Sequence, residues 1–360
     1  MNKKIYIILG TKAQLIKMAP VMSELQHRKI PYTFIFTGQH RETIKELLET
    51  FKLKKPDFTL HQGKDITKIG QMFIWGIKCF YKALKDRSRI FPNKNGLVLI
   101  HGDTASTVLG AIIGKLCGQK IGYVEAGLRS KDLFNPFPEE IFRLISSRLT
   151  DIHFCSGEEA LKNSLKHKGV KVNTEANTLF DSLQLVIKDL HRVKIKIPNE
   201  KYCIVSIHRF ENIFNRKKIE EIIEQVVFIS KEIKVLFILH QPTKEKLKGF
   251  NFYKKLEKIE NIELRPRYDY FKFIKLLYNS QFIVTDGGSN QEESFYLGKP
   301  CLLMRSKTER QEGLDKNVLI SNYDKIIIND FLNNYQKYSS KLLNFKISPS
   351  KIIVDYFRKN

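Results

Sequence analysis

The chain has 360 residues, 42% of them hydrophobic and 28% charged, with a mean hydropathy of −0.29 and a formal net charge of +24 at pH 7. That length favours two ordinary hydrophobic cores over one very large one, and the composition is that of a soluble globular protein. No apolar run is long enough to span a bilayer, which excludes a helical membrane protein.

The lysines are spread along the chain, largely on what read as outer helix faces, so the charge is read as solvated surface. No recognition helix, aromatic RNA-binding motif or zinc-ligand spacing accompanies it, so no nucleic-acid partner is expected. MNKKIYIILG runs straight into a strand without a cleavage-site pattern, and a cytoplasmic location with no membrane partner is expected. Cys79, Cys117, Cys155, Cys203 and Cys301 show no CxxC spacing and read as reduced thiols, not as metal ligands.

In chain order, KKIYIILG, YTFIFTG, GLVLIHGD, KIGYVEAG and DIHFCSG are short, apolar and rich in β-branched residues, and helix-length segments separate them. They predict the strands of a first parallel sheet. KYCIVSIHR, KVLFILH, IELRPR, QFIVTDGG and KPCLLMRS repeat the pattern as a second sheet. Between the two sets LHRVKIKIPNEK is charged, carries a proline and lacks helix periodicity, as a boundary segment does. PSKIIVDYFRKN reads as a terminal amphipathic helix that packs back. The expected architecture is α/β: two doubly wound, Rossmann-like domains facing across a cleft. Domain one is residues 1–185 joined by the terminal helix 346–360, and domain two is residues 186–345.

Ligands of open parallel sheets bind outside the carboxyl ends of the strands, so the residues there are the candidates. The first strand ends in GTKAQLIKMAP, a glycine turn opening a helix, with Lys12 as a point charge. The second ends in TGQHRE, with Gln39, His40 and Arg41. The third and fourth end in Asp103 and Glu125, which a crossover connection places at one sheet edge. A third acidic position, Glu139-Glu140, follows on a Pro-rich loop. Clustered carboxylates suit proton transfer. In the second half, His208 and Arg209 end a strand, suited to acid–base work and to gripping phosphate. Asp286 is followed by the turn Gly287-Gly288-Ser289 and then by Gln291-Glu292-Glu293 opening a helix. Such a turn offers backbone amides to phosphate, and a carboxylate one turn further on suits ribose hydroxyls. Glu292 by itself is explained by the helix dipole. MRSKTERQE places Arg305, Glu309 and Arg310 on a loop after another strand.

HGDT, VEAGLRS, PFPEE, the HR of IHRFEN, QEE followed by LGKP, and TER stand in the order and approximate spacing of the non-hydrolysing UDP-N-acetylglucosamine 2-epimerases, which the chain resembles over most of its length. The resemblance implies a glycosyltransferase-B-like fold and interconversion of UDP-GlcNAc and UDP-ManNAc through UDP elimination to a 2-acetamidoglucal and re-addition. It implies no cofactor and no metal, a homodimer, and a role in making surface polysaccharide precursors. Asp103, Glu125, Glu139 and His208 match the family's catalytic set, and the residues do not say which carboxylate is the C2 base. Lys12, Gln39, His40, Arg129, Arg143, Arg209, Gly287, Gly288, Ser289, Glu293 and Arg310 are the implied substrate-binding positions. The family's GTRPE reads Gly10-Thr11-Lys12-Ala13-Gln14 here, and its DSGG reads Asp286-Gly287-Gly288-Ser289. A modified UDP-HexNAc (6-deoxy or uronic), a hydrolysing 2-epimerase releasing ManNAc, and a UDP-sugar glycosyltransferase remain as alternatives.

Overall fold

The computed structural model describes residues 4–40, 44–63, 65–66, 69–133, 137–346 and 348–359. Seven strands form the first sheet: β1 (Ile5–Leu9), β2 (Tyr32–Phe36), β3 (Phe58–Thr59), β4 (Leu97–His101), β5 (Lys120–Ala126), β6 (Ile152–Cys155) and β7 (Val170–Asn173). All pairings are parallel, in the order β3-β2-β1-β4-β5-β6-β7. Six more form the second: β8 (Tyr202–Ser206), β9 (Lys234–Leu239), β10 (Ile262–Pro266), β11 (Ile283–Thr285), β12 (Cys301–Leu303) and β13 (Val318–Ile320), again all parallel, in the order β10-β9-β8-β11-β12-β13.

Every residue of β1, β4 and β8 is buried. Continuous apolar runs, without in–out alternation, are what parallel strands covered on both faces require. In the first core Tyr6, Ile8, Val98, Ile100 and Tyr123 of the sheet pack with Trp75 and Cys79 of the helix Ile69–Lys85. In the second, Val205, Phe237, Val284 and Leu302 pack with Ile219, Ile222 and Ile223 of the helix Arg216–Ile229. The strand order reverses between β1 and β4 in one sheet and between β8 and β11 in the other. These are the switch points where crossovers leave in opposite directions and open a crevice.

The chain divides into a unit of Met1–Leu185 with Phe345–Asn360 and a unit of Val186–Asn344. The division falls inside the helix Leu179–Asp189, upstream of the charged segment singled out as a boundary. That segment belongs to the second unit, where the carbonyls of Val193 and Lys196 accept hydrogen bonds from Lys275 Nζ at 2.7 Å and Arg265 Nη1 at 2.8 Å. The terminal helix Pro349–Lys359 packs on the first unit: Ser350 N–H donates to Asp181 at 2.7 Å, and Tyr356 and Phe357 meet Phe154 edge-on. Among the described residues no helix is long and apolar enough to cross a membrane.

Candidate active site

At the β1/β4 switch point the backbone must come close to its neighbours. A Cβ on Gly10 would lie 1.9 Å from Ser106 Oγ and 2.0 Å from Thr37 Oγ1, so only glycine fits. Thr11 and Gln14 then cap the helix Lys12–His27 reciprocally. Buried Gln14 does more than cap. Its Oε1 accepts from the N–H groups of Gly10 (2.8 Å) and Thr11 (3.1 Å), and its Nε2 donates to His101 O (2.6 Å) and Thr107 Oγ1 (3.0 Å). The amide ties the end of β1 to the end of β4. Lys12 opens this helix, half-buried. Gln39 accepts from the N–H and hydroxyl of Ser106 at 3.2 and 2.7 Å, bracing the start of the helix Ala105–Leu116. The His40 N–H donates to Gly10 O at 2.8 Å. Arg41 and Pro136 of the quoted motifs lie outside the described residues.

The carboxylates stand at the neighbouring strand ends. Glu125 lies in β5, yet its φ is +67° and the β5–β6 register skips it, pairing Val124 with Phe154 and then Ala126 with Cys155. A bulge with left-handed backbone at a non-glycine residue re-aims a side chain at the cost of local strain. Here it delivers the Glu125 carboxylate, 6% exposed, to Lys17 Nζ at 2.8 Å and His101 Nε2 at 3.1 Å. Asp103, a quarter exposed, pairs with Arg143. Arg143 also contacts Glu140 at 3.2 Å, and Glu140 accepts from Arg129 and from Ser130 N–H at 3.0 Å. Burial pushes the Glu140 carboxyl up, but Ser130, Arg129 and Arg143 together outweigh it and hold it below the usual carboxylate range. Glu140 is therefore a fixed anion that orders two arginines. Glu139, the other member of the acidic pair, is partly exposed as a residue, but its Oε2 is buried. The pair opens the helix Glu139–Leu149, and does not lie on a loop, because Pro138 ends the preceding segment and two acids favour a helix N-terminus.

In the second unit Asp286, fully buried at the end of β11, is the hub. It accepts from the N–H groups of His208 (3.0 and 3.1 Å) and Arg209 (2.9 Å) and from Asn212 Nδ2 (2.9 Å), which shapes the turn after β8. The His208 ring stacks on His240, with centroids 4.5 Å apart and planes 6° from parallel. Burial lowers the His208 pKa, Asp286 pulls it back up, and Arg209 and Arg267 push it down again. The net shift is downward. A Cβ on Gly287 would lie 2.7 Å from His208 Cε1, and one on Gly288 2.7 Å from Arg310 Nε. The paired glycines are thus required by side chains closing over the N-terminus of the helix Gly288–Leu297. Ser289 sits half-buried on its first turn, and Asn290 Nδ2 donates to Glu293 Oε2 at 2.8 Å.

Glu292 differs from the dipole-only reading. It is fully buried and paired with Arg310, since a buried carboxylate needs a counter-charge and not merely a favourable dipole. Next to it Arg305 Nη2 meets Glu309 at 3.0 Å. Burial alone raises the Glu309 carboxyl, but Arg310, Arg305 and Arg209 prevail and bring it down from 4.5 to about 2. A carboxylate depressed in the fold stabilises it above its unfolded value and loses that contribution as pH falls from 4.5 towards 2. The carboxylate side is worth about 3 kcal/mol, and the burial of Arg305, whose own pKa is lowered, offsets part of it. Glu309→Gln is expected to lower the Tm at pH 7 and to flatten its decline between pH 4.5 and 2, as thermal melts across that range will show. Among the described residues no group of three His, Cys, Asp or Glu side chains is placed to hold a metal ion.

Lys17 and His101 were not singled out as site residues from sequence, where Glu140 reads only as half of an acidic pair and Asp286 only as the strand end before the glycine turn. Lys17 carried a signal, a lone charge inside the apolar run LIKMAP, which burial forces to find a partner. Asp286 ended a strand beside two glycines. Its role depends on donors 77 and 78 residues away and has no local mark.

Two doubly wound parallel sheets, with carboxylates at one carboxyl edge and a histidine–glycine turn at the other, define a two-unit α/β enzyme of glycosyltransferase-B-like fold. The family model for UDP-N-acetylglucosamine 2-epimerase matches residues 23–343. A UDP-N-acetylglucosamine 2-epimerase of Methanococcus maripaludis is 35% identical over 330 residues, covering 87% of this chain and 86% of that one. The crystal structure of the Neisseria meningitidis UDP-GlcNAc 2-epimerase bound to UDP-GlcNAc has a TM-score of 0.86 at 28% identity, covering 99% of this chain and 100% of that one. The Methanocaldococcus jannaschii enzyme in complex with UDP-GlcNAc and UDP has a TM-score of 0.84 at 27% identity, with the same coverage. The chain belongs to the UDP-N-acetylglucosamine 2-epimerase family, whose members are isomerases.

Proposed function

We propose that the chain interconverts UDP-GlcNAc and UDP-ManNAc. A carboxylate takes the C2 proton, the C2–H electron pair becomes the C1–C2 double bond, and the bond from C1 to the diphosphate breaks with UDP keeping its electrons. The 2-acetamidoglucal then gains a proton at C2 on the opposite face as a UDP oxygen attacks C1. The observation that supports this reading is the pair of carboxylates Asp103 and Glu125 at the carboxyl edge of the first sheet, with Glu125 aimed by strained left-handed backbone, while Glu139 opens the helix whose Arg143 pairs with Asp103.

Lys12 and Arg209 supply charge to the diphosphate. Arg143 bridges Asp103 and Glu140, Arg129 pairs with Glu140, and both add to the positive field that stabilises a departing anion. His208, with its pKa lowered, approaches the leaving phosphate as a neutral imidazole and a hydrogen-bond donor. Gly287, Gly288 and Ser289 offer the helix N-terminus to UDP and Glu293 binds ribose, with Arg310 as a further substrate contact of the second unit and Gln39 and His40 as substrate contacts of the first. The reaction oxidises nothing and needs no nicotinamide.

The chain works in the cytoplasm as a homodimer supplying N-acetylmannosamine-type units for surface polysaccharide. The exposed apolar face of Phe73, Ile74, Ile77 and Tyr81 on the helix Ile69–Lys85 supports self-association. Light scattering at micromolar concentration is expected to give twice the monomer mass, and a monomer there rejects it.

The test of the reaction is proton NMR of the enzyme with UDP-GlcNAc in heavy water. UDP-ManNAc must appear and deuterium must enter C2. Free ManNAc with UDP identifies a hydrolysing enzyme, and no product and no exchange rejects the assignment.

A further inference from the structure

Glu125 has a counter-charge on one oxygen, Lys17 at 2.8 Å from Oε1, and an imidazole on the other, His101 Nε2 at 3.1 Å from Oε2. All three side chains are at most 6% exposed. We propose that His101 is a positioning residue for Glu125: in its Nε2–H form it donates to Oε2 and fixes the direction in which the carboxylate presents its remaining lone pairs. The inference rests on the proposed proton-transfer role of Glu125.

Three observations carry it. An ionised carboxylate only accepts hydrogen bonds, so the nitrogen that faces it must bear hydrogen. The contact lies off the ideal hydrogen-bond line, as contacts in ligand-free sites commonly do before they tighten around substrate. The second observation is that His101 is itself anchored. It ends β4, opposite Val124 of β5, and its carbonyl accepts from Gln14 Nε2 at 2.6 Å and Thr107 Oγ1 at 2.7 Å. The ring therefore starts from a backbone held on two sides. Finally, Glu125 is the residue skipped by the β5–β6 register. A side chain leaving a bulge has lost the ladder that would fix its direction, and buried partners on both oxygens restore it. Lys17 fixes charge but is a rotatable point donor. The planar imidazole fixes angle.

The test compares His101→Leu, which lacks a donor, with His101→Gln, which keeps one. For epimerisation of UDP-GlcNAc, kcat of the Leu variant is expected to fall about 10- to 100-fold, the scale of one hydrogen bond to a charged group, with KM within about twofold. Its acid limb is expected to move to higher pH, because a carboxylate that loses a donor binds its proton more tightly. The Gln variant is expected to recover most of kcat. Wild-type kcat in the Leu variant, or equal losses in both variants with an unmoved pH profile, overturns the proposal. Nitrogen-15 NMR of the wild-type imidazole gives a readout independent of turnover. An Nε2–H tautomer supports the proposal and an Nδ1–H tautomer overturns it, even if the Leu variant does not fold. If wild type neither forms UDP-ManNAc nor exchanges C2–H, the reaction assignment fails by itself and the tautomer still decides the role of His101.

Discussion

Glu125→Gln is expected to lower kcat for epimerisation by about 10²–10⁴-fold, the usual contribution of a positioned acid–base group, while UDP affinity measured by calorimetry stays within a few-fold. Glutamine keeps the shape and one acceptor but cannot take a proton. It also takes a counter-charge at 2.8 Å away from the Lys17 ammonium, 4% exposed. Breaking a buried pair from one side costs about 3–5 kcal/mol, so the single variant will also melt earlier, and lost turnover alone would be ambiguous. Combining it with Lys17→Met removes the lysine's charge as well. The double variant is expected to regain most of the Tm and none of the kcat. Near-normal turnover in Glu125→Gln would falsify a proton-transfer role. Recovery of kcat along with Tm in the double variant would reduce Glu125 to a structural anion.

The same logic separates the other acids. Glu140 was the less conspicuous half of an acidic pair in sequence, yet it is fully buried and holds two arginines, whereas Glu139 is partly exposed with one buried carboxylate oxygen. In sequence the pair reads as part of a loop, and which carboxylate is the more buried has no mark there, because that depends on Arg129 arriving from another segment and on Arg143, one turn along the same helix, reaching Asp103. The strand pattern was more legible. β1, β2, β4, β5, β6, β8, β9, β11 and β12 are apolar runs that both sheet faces bury, and burial on both sides writes itself into composition, whereas the edge strand β10, IELRP, is only partly buried. β3 has two residues, β13 has three, and β7 reads VKVN and is half-exposed, so these edge strands lack that mark. The left-handed backbone at Glu125 had no signal at all. Nothing in KIGYVEAG distinguishes the glutamate from any polar residue at a strand end.

In the second unit the largest structural effect is expected from Asp286→Asn. Asp286 is 0% exposed and receives the N–H groups of His208 and Arg209 and the amide of Asn212, whose own Oδ1 is fixed by the Tyr323 hydroxyl at 2.7 Å. A carboxylate can satisfy all three donors because both its oxygens accept. An asparagine offers one oxygen and turns an NH₂ towards at least one donor. A buried donor left unsatisfied costs about 1–3 kcal/mol, so the variant is expected to lose about 2–4 kcal/mol in urea unfolding. The turn after β8 would loosen with it, and UDP affinity should fall because the backbone that carries His208 and Arg209 no longer holds its shape. His208 provides the internal check. Its Nδ1 lies 3.4 Å from Asp286 Oδ1, and the aspartate is the main influence raising its pKa against burial. Removing that charge is expected to move the His208 titration further down in an NMR pH series. A variant with unchanged stability and reduced UDP affinity would mean that Asp286 acts on the ligand directly. Unchanged stability, affinity and His208 titration together would mean that the hydrogen bonds at the end of β11 do not shape the turn.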